Sequence, residues 1–226
     1  MKRLGIMGGM GPLATLDLYQ KIVAMTAAQK DQDHIPVIID SYPQIEDRTA
    51  YILGHGNTPR PKMLESAVRL RNAGAQALLI ACNTAHYFAD DIEKYVNLPV
   101  IHIAKVSIEA IKQRYPDAQN IAVIATDGTQ KSGIYSTLLK QDGFNCVELS
   151  EQQQKKVMAC IYDGAKAGNV EGYQALFNHV IEQLDADIFI AACTEIPLFL
   201  PKLEKATLFL DATSELAAQG IKFACS

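Results

Sequence analysis

The sequence predicts an α/β fold made of two similar, pseudo-symmetric lobes, each a mainly parallel sheet flanked by helices. Three observations lead to this prediction. Short continuous runs of Ile, Val, Leu and Ala, bounded by turn residues, are typical of strands buried on both faces of a parallel sheet. Longer segments with helical spacing alternate with these runs, as right-handed strand–helix–strand crossovers require. The whole pattern occurs once in each half of the chain.

Seven apolar runs are predicted to be strands. In chain order they are RLGIM, IPVIID, ALLIAC, LPVIHI, NIAVIAT, NCVEL and DIFIAAC. Helical spacing separates them; for example, Leu64, Val68 and Leu70 share one helix face ahead of Gly74. The final segment, SELAAQGIKFA, is predicted to be one more helix that packs back onto the first lobe.

An internal repeat divides the chain into the two lobes. RLGIMGGMG opens the first half and NIAVIATDGT opens the second, each a strand that runs into a glycine-containing turn. About seventy residues further on, each half carries a strand that ends in Ala-Cys-x-Thr, within ALLIACNTAH and IFIAACTEIP. We therefore assign residues 1–104 plus 211–226 to the first lobe and residues 105–210 to the second.

Composition and charge restrict the class of protein. The 226 residues are 49% hydrophobic and 20% charged, which is typical of a globular chain with a substantial core. The net charge is −4 and there is no run of Lys or Arg, so nucleic acid and anionic membranes are poor partners. The amino-terminal apolar stretch is interrupted by glycines and Pro12 and is not predicted to be a signal peptide, so we expect a cytoplasmic protein.

Cysteine usage indicates free thiols rather than disulfides or a metal site. The five cysteines are odd in number, widely spaced and without a C-x-x-C pair. The five histidines do not pair with them at ligand spacing, so no metal is expected.

The two Ala-Cys-x-Thr sites are the strongest chemical signal in the sequence. Ligands of open α/β sheets bind beyond the carboxyl ends of the strands, where Cys82 and Cys193 are placed. If a helix begins at each site, its amino terminus would lower the pKa of the thiol. Asn83, Thr84 and Thr194 are suited to capping those helices or to holding a carboxylate.

A facing pair of thiols matches the chemistry of inverting a stereocentre. Proton removal from one face and proton delivery to the other need a base and an acid that exchange roles in the reverse direction. A thiol suits both roles because its ordinary pKa is close to neutrality. Two pseudo-symmetric lobes would supply such groups on opposite walls of one cleft.

Several ordered motifs make the chain similar to a known family over essentially its whole length. They are GIMGGMGPLAT, DQDHIPVIIDSYPQIEDRT, ACNTAH, IATDGT, IYDGAKAG and ACTEIPL. With these motifs the chain resembles the aspartate/glutamate racemase superfamily, most closely its aspartate racemase branch. The resemblance implies two α/β lobes with the active site in the cleft between them, and usually a homodimer. It implies racemisation of an amino acid with a carboxylate side chain, without pyridoxal phosphate or any other cofactor, and with Cys82 and Cys193 as the acid/base pair.

The same resemblance assigns substrate-binding roles by position. Arg48 and Lys166 match the cations that bind the side-chain carboxylate, a role suited to the planar fork of arginine. The full set of implied substrate-binding residues is Met10, Arg48, Asn83, Thr84, Ala85, Thr126, Lys166, Thr194 and Glu195. In the glutamate racemase branch a histidine stands two positions after the second cysteine, where this chain has Glu195. That difference favours the aspartate branch or a broader range of substrates.

Other functions are compatible with parts of the sequence. Gly9-Met10-Gly11-x-x-Ala14 after a strand, with Asp40 after the next, loosely matches a dinucleotide-binding fingerprint, although Pro12 intrudes and no second half-site follows. A non-catalytic amino-acid-binding protein needs the cleft and the cations but not two cysteines. The same scaffold also resembles those of hydantoin racemases and maleate isomerases, so these activities are further alternatives. His86, four residues after Cys82, is expected to be structural rather than the base that activates the thiol.

Overall fold

The computed structural model describes all residues from Met1 to Ser226 and contains two four-stranded parallel sheets. The strands are β1 (Leu4–Gly8), β2 (Val37–Ser41), β3 (Ala77–Ile80), β4 (Val100–Ile101), β5 (Asn120–Ile124), β6 (Asn145–Val147), β7 (Ile188–Ala191) and β8 (Phe209–Asp211). The α-helices are α1 (Pro12–Met25), α2 (Arg48–Ile52), α3 (Arg60–Asn72), α4 (Ala89–Val96), α5 (Ile103–Arg114), α6 (Asp127–Ser132), α7 (Ser136–Gln141), α8 (Glu151–Ala159), α9 (Val170–Glu182) and α10 (Ala212–Cys225). Short 3-10 helices cover 31–33, 84–88, 196–202 and 204–208, and a π-helix covers Cys160–Ala165.

The two sheets have the same strand order, which confirms the predicted fold class. The order is β2-β1-β3-β4 in the first sheet and β6-β5-β7-β8 in the second, with every pair parallel. The inner strands β1, β3 and β7 are buried along their whole length, as expected where helices cover both faces. The internal repeat in the sequence therefore corresponds to two lobes of equal topology.

One strand was not among the predicted elements. β8 has three residues, and it pairs with β7 in the register Phe189–Phe209, Ile190–Leu210 and Ala191–Asp211. Its strand conformation is therefore defined by the ladder with β7. The predicted terminal helix is α10, which packs against α1 and α5.

One apolar cluster is shared by both lobes, in addition to a separate core in each lobe. The largest buried cluster contains strand residues of both sheets, including Leu4 and Leu79 of the first and Ile121 and Ile190 of the second. Helix α5, which follows β4, and helix α10, which follows β8, pack on each other in this region. The division at residues 104 and 211 stays a prediction, because the described packing joins the lobes through these helices. None of the helices is long and apolar enough to cross a membrane.

A glycine turn after β1 brings the backbone close to a neighbouring segment. Gly9 has φ of +87°, and a Cβ atom there would lie 2.4 Å from the backbone nitrogen of Tyr42. Only glycine tolerates both this conformation and this approach. The GGMG motif thus serves close backbone packing beside the cleft.

A second glycine sets the spacing between the lobes. Gly128 in α6 of the second lobe lies against Thr49 in α2 of the first, and a Cβ at Gly128 would fall 2.7 Å from the Cα of Thr49. We expect Gly128→Ala to lower the free energy of unfolding by about 1–3 kcal/mol, because backbone would have to move. Urea unfolding measures this change. Gly172→Ala is the control: its new Cβ meets the side chain of Asn169, which caps α9. Loss of the cap costs about 0.5–2 kcal/mol and the higher helix propensity of alanine offsets about 1 kcal/mol, so a net change of less than about 1 kcal/mol is expected. Equal losses in both variants would contradict the assigned contact.

Candidate active site

Two cysteines reach the cleft from equivalent positions in the two lobes. Cys82 lies two residues after the end of β3, and Cys193 lies two residues after the end of β7. β3 and β7 occupy the same place in their sheets, so their carboxyl ends both face the interlobe cleft. Both cysteines are free, mostly buried and line the same cavity.

The cavity is small and is built from both lobes. It is lined by Met10, Asp47, Arg48, Thr49, Cys82, Asn83, Thr84, Thr126, Tyr162, Lys166, Ala192, Cys193, Thr194 and Glu195. The cavity volume is about 20 Å³, counted as the space that the centre of a water molecule can occupy. This is enough for roughly one water molecule. An amino-acid ligand would therefore require the lining side chains or the lobes to move apart. Of the substrate-binding residues implied by resemblance, only Ala85 lies outside this lining, buried in the core of the first lobe.

The polar residues after Cys82 hold the lobes together instead of capping a helix. The 3-10 helix Thr84–Phe88 has no side-chain cap from Asn83. The Oδ1 atom of Asn83 accepts a 2.5 Å hydrogen bond from the hydroxyl of Tyr135 in the second lobe. The Thr84 hydroxyl lies 3.0 Å from that of Thr126 and 2.8 Å from that of Thr129. The expected capping role was wrong because hydroxyl partners from the other lobe are available. Thr194, too, provides no cap, since its hydroxyl donates to Glu195 at 2.8 Å.

Arg48 is positioned by backbone carbonyls and not by an ion pair. Its Nη1 donates to the carbonyls of Ile45 (3.3 Å) and Glu46 (2.8 Å), and its Nη2 donates to that of Met10 (3.1 Å). The carboxylate of Glu46 pairs with Lys62 instead. Three of the five guanidinium N–H groups are thereby used, and the Nε group is buried without a partner.

Two unpaired buried donors therefore line the cavity. Besides Nε of Arg48, the Nδ2 of Asn83 has no hydrogen-bond partner. Buried polar atoms nearly always have a hydrogen-bond partner. Two donors without one in the same cavity therefore indicate a site for a hydrogen-bond acceptor. An anionic, planar group such as a carboxylate would satisfy both.

A π-helix brings a second cation to the cavity. In Cys160–Ala165 and the turn after it, the hydrogen bond from Lys166 N to Ile161 O spans five residues and measures 3.0 Å. Tyr162 and Lys166 both line the cavity, and the ammonium of Lys166 lies 4.6 Å from the centre of the Tyr162 ring. Partial burial opposes the charge of Lys166, but the negative charge of Glu195 and the neighbouring Tyr162 outweigh it and raise its pKa. π-bulges often occur at functional sites, in agreement with this placement.

Cys193 differs from the expectation of a thiol with lowered pKa. Its Sγ donates a 2.9 Å hydrogen bond to Oε2 of Glu195. Burial, followed by the charge of Glu195, raises the pKa of Cys193 well above its ordinary value. The expectation of a lowered pKa was wrong for Cys193. The 3-10 helix after it begins only at Ile196, and the carboxylate of Glu195 lies between the start of that helix and the sulfur.

Four lining residues were not identified from the sequence as ligand-contacting: Asp47, Thr49, Tyr162 and Ala192. Asp47 and Thr49 flank Arg48 in IEDRT, and Tyr162 is four residues before Lys166 in IYDGAKAG, so the motifs contained them. The four-residue spacing of Tyr162 and Lys166 places two side chains on one side of a helical turn, so this pair could have been inferred from the sequence.

His86 lies behind the cavity, in a buried pair with His102. Its Nδ1 is 2.9 Å from the carbonyl oxygen of Cys82, so this nitrogen carries the proton and donates. The two imidazole rings have centres 5.0 Å apart, and Nε2 of His86 has no partner. Burial lowers the pKa of His86 to about 3 and that of His102 to about 4. The prediction that His86 is structural agrees with this position.

Protonation of this pair is expected to destabilise the protein in mild acid. The folded pKa of His86 lies below the unfolded value, so stability is complete above pH 6.5 and is lost as the pH falls towards 3. At pH 4.5 the loss from His86 amounts to about 3 kcal/mol. His86→Asn keeps a donor for the Cys82 carbonyl but does not titrate. Urea unfolding from pH 7.5 to 4.5 should show a shallower loss of stability in the variant, and identical slopes would contradict the assignment.

A larger cavity adjoins the first. It shares Lys166, Thr194 and Glu195 with the small cavity and measures about 470 Å³ by the same criterion. Its other walls are Gly11, Pro12, Leu13, Ala14, Asp17, Ala165, Pro197 and Leu198. Leu13 and Leu198 are 80% and 54% exposed, so this wall is an apolar surface open to solvent.

No group of three or more His, Cys, Asp or Glu side chains is placed to hold a metal ion. Asp40, the acidic residue of the loose dinucleotide fingerprint, is paired with Arg69, whose Nη2 lies 2.8 Å from its Oδ2. The structure therefore gives the dinucleotide interpretation no free ribose partner at that position.

Comparison with known proteins gives one family. The family model described as Asp/Glu/Hydantoin racemase matches residues 7–220. The chain is 28% identical to the "Broad specificity amino-acid racemase RacX" of Bacillus subtilis, over 95% of this chain and 94% of that protein. It is also 28% identical to the glutamate racemase of Helicobacter pylori, over 57% of this chain and 51% of that protein.

Solved structures of the same architecture cover the whole chain. Picrophilus torridus aspartate racemase superimposes with a TM-score of 0.86 at 28% identity, over 100% of this chain and 95% of that one. A putative Asp/Glu racemase from Yersinia pestis gives 0.82 at 26% identity, over 100% of both chains. The glutamate racemase of Francisella tularensis, at 16% identity and a TM-score of 0.69 over 98% of this chain and 80% of that one, shares the fold.

Proposed function

The chain belongs to the Asp/Glu/hydantoin racemase family, and from this premise we propose that it racemises an amino acid by a two-cysteine proton transfer without pyridoxal phosphate. The observation that carries the proposal is the placement of Cys82 and Cys193. Each follows the third strand of its lobe's sheet order, and both line one cavity. A binding protein of the same shape would need neither thiol.

The proposed reaction exchanges one proton at each face of the substrate Cα. The thiolate of one cysteine removes the Cα proton, and the thiol of the other delivers a proton from the opposite face. The carbanion carries developing negative charge on the α-carboxylate, which fixed donors can stabilise without reorganisation. Nδ2 of Asn83 is a buried, unpaired donor in this cavity, which supports such a role.

Aspartate is the substrate we propose first. A dicarboxylate has two anionic groups, and the cavity offers two cations, Arg48 and Lys166, together with the Asn83 amide. The carbonyls that hold the guanidinium of Arg48 leave its Nε edge available for a carboxylate. Lys166 is the only other cation in the lining, so we propose that it binds the side-chain carboxylate together with Arg48, while the Asn83 amide binds the α-carboxylate.

A broader range of amino acids is the second candidate, favoured by the adjoining apolar cavity. Substrate side chains larger than that of aspartate exceed the small cavity, whereas the neighbouring space of about 470 Å³ meets it at Lys166, Thr194 and Glu195. Leu13, Pro197 and Leu198 would contact an apolar side chain there. Comparable turnover of aspartate and leucine would support this candidate, and turnover of aspartate alone would remove it.

A homodimer is proposed through helix α1. The helix buries Ala14, Leu18 and Ile22 against the lobe but also exposes Leu13, Leu16 and Val23. A helix that exposes several large apolar side chains in addition to its buried face is often covered by a partner, so a second copy is the partner we propose. Sedimentation of the chain tests this: a monomer at micromolar concentration would contradict it. The cytoplasmic location stays a prediction.

The test of the function is isotope exchange at Cα. Purified protein is incubated with L-aspartate in deuterated water, without added pyridoxal phosphate, and followed by chiral chromatography and the Cα–H signal. We expect D-aspartate with deuterium at Cα. Absence of exchange with aspartate, glutamate and a panel of neutral amino acids would contradict the proposal and favour a binding protein or a hydantoin racemase or maleate isomerase type of activity.

A further inference from the structure

The two candidate acid/base cysteines have unequal surroundings, although the strands that carry them are equivalent. Cys193 donates its thiol hydrogen to Oε2 of Glu195 at 2.9 Å. Two residues after Cys82, where Glu195 stands relative to Cys193, the chain has Thr84. The Thr84 hydroxyl forms hydrogen bonds with the hydroxyls of Thr126 and Thr129. No carboxylate side chain forms a hydrogen bond with the Cys82 sulfur. The pseudo-symmetry of the backbone is thus broken by one side chain.

The carboxylate of Glu195 is fixed against the sulfur. The same Oε2 atom accepts from Cys193 Sγ and, at 2.8 Å, from the Thr194 hydroxyl. Glu195 is half-buried, and Cys193 is only 7% exposed, so water screens their interaction weakly. A negative charge held this close disfavours a second negative charge on the sulfur.

From this arrangement we propose that Glu195 is a positioning residue that keeps the shared proton of the cysteine pair on Cys193, so that the resting enzyme holds Cys82 as the base and Cys193 as the acid. The inference rests on the proposed racemase function and deepens it. The role differs from substrate binding, which resemblance implied for this residue.

Over one reaction cycle the enzyme neither gains nor loses a proton. The Cys82 thiolate takes the Cα proton of the substrate, and the thiol of Cys193 gives its own proton to the opposite face. The enzyme then holds a Cys82 thiol and a Cys193 thiolate beside Glu195. Transfer of one proton from Cys82 back to Cys193 restores the resting state, and Glu195 itself remains a carboxylate throughout.

Other charged and titratable groups also face Cys193. Lys166 lines the same cavity and opposes the effect of Glu195, because its positive charge stabilises a thiolate. Tyr162 in the lining and Tyr135 behind it are both close enough to interact with the cysteine charge. The tyrosine hydroxyls are neutral near pH 7, so the balance at Cys193 lies between burial, Glu195 and Lys166.

The test measures the ionisation of each cysteine by alkylation, independently of turnover. Iodoacetamide labelling of the full-length protein is followed from pH 6 to 10.5, with each cysteine resolved by peptide mass spectrometry, because only the thiolate reacts. We expect Cys82 to react at lower pH than Cys193. In Glu195→Gln, which retains an acceptor but no charge, the rate at Cys193 should rise about tenfold near pH 8, and its midpoint should fall by about one pH unit.

Controls and a second variant keep the inference falsifiable. Glu148→Gln removes an exposed carboxylate near Cys146 and should leave both cleft cysteines unchanged, and Cys225 is an exposed internal standard. If Glu195→Gln is not folded, Glu195→Asp shortens the side chain by one methylene and should lower the midpoint of Cys193 in part. An unchanged midpoint in the folded variant, or a Cys193 that reacts at lower pH than Cys82 in the unmodified protein, overturns the inference. Because labelling needs no substrate, failure of racemisation and failure of this inference are separate results.

Discussion

Replacement of either Cys82 or Cys193 by serine is expected to lower the rate of amino-acid racemisation by about 10²–10⁴-fold, the usual contribution of one acid/base group. A serine hydroxyl is a much weaker acid than a thiol, so it can neither hold a negative charge near neutral pH nor release its proton readily. The two sulfurs lie at equivalent strand ends and line a single cavity, so each variant should remove one of the two faces of the reaction. Chiral chromatography of aspartate in both directions measures the loss.

Two other cysteines provide matched controls for this experiment. Cys225 is exposed, and Cys160 is buried in the core of the second lobe without lining the cavity. Serine at either position should leave the racemisation rate within about twofold, although Cys160→Ser introduces a buried hydroxyl that lowers stability by about 1–3 kcal/mol. The double variant of Cys82 and Cys193 should be scarcely slower than either single variant, because groups that act as a unit are not additive. Full activity in both single variants would rule out the two-base mechanism.

Arg48→Lys is the second substitution with a large expected effect. Lysine keeps the positive charge but has one compact ammonium, so it cannot bond three backbone carbonyls and also present a planar edge to a carboxylate. Loss of two charge-assisted hydrogen bonds, at about 1.5–3 kcal/mol each in isolation, corresponds to a decrease in kcat/KM of at least about 10²-fold. Steady-state kinetics with aspartate measure it, and most of the change should appear in KM if Arg48 binds substrate and transition state equally.

Arg60 is the matched control for that substitution. It lies at the start of α3, forms a half-exposed ion pair with Asp91, with 2.7 Å between Nη2 and Oδ2, and is not among the residues that line the cavity. Surface pairs of this kind contribute little to stability, so Arg60→Lys should behave like the unmodified protein. Kinetics of Arg48→Lys that match those of Arg60→Lys would show that Arg48 serves only to hold the turn before α2.

Much of the fold followed from local patterns in the chain. The runs that became β1, β3 and β7 contain no polar side chain, and β5 contains only Asn120, because helices cover both faces of their sheets. Such runs can be recognised without knowledge of the partner strand. β8 was not predicted, and its strand conformation is seen only in its pairing with β7. The cleft position of Cys82 and Cys193 was predictable, since parallel strands place their carboxyl ends at a common edge.

The sequence by itself therefore determined the two α/β lobes, the repeat that relates them and the pair of cysteines at their strand ends. Only the tertiary structure decided what surrounds those cysteines. The Thr84 hydroxyl meets those of Thr126 and Thr129 across 42 and 45 residues of chain, and Arg48 is fixed partly by the carbonyl of Met10, 38 residues away. Cys193 and Glu195 are neighbours in sequence, yet the raised pKa of that thiol depends on burial and on the orientation of one carboxylate. Strand periodicity arises from short-range geometry, whereas hydrogen bonding and desolvation depend on which groups the completed fold brings together.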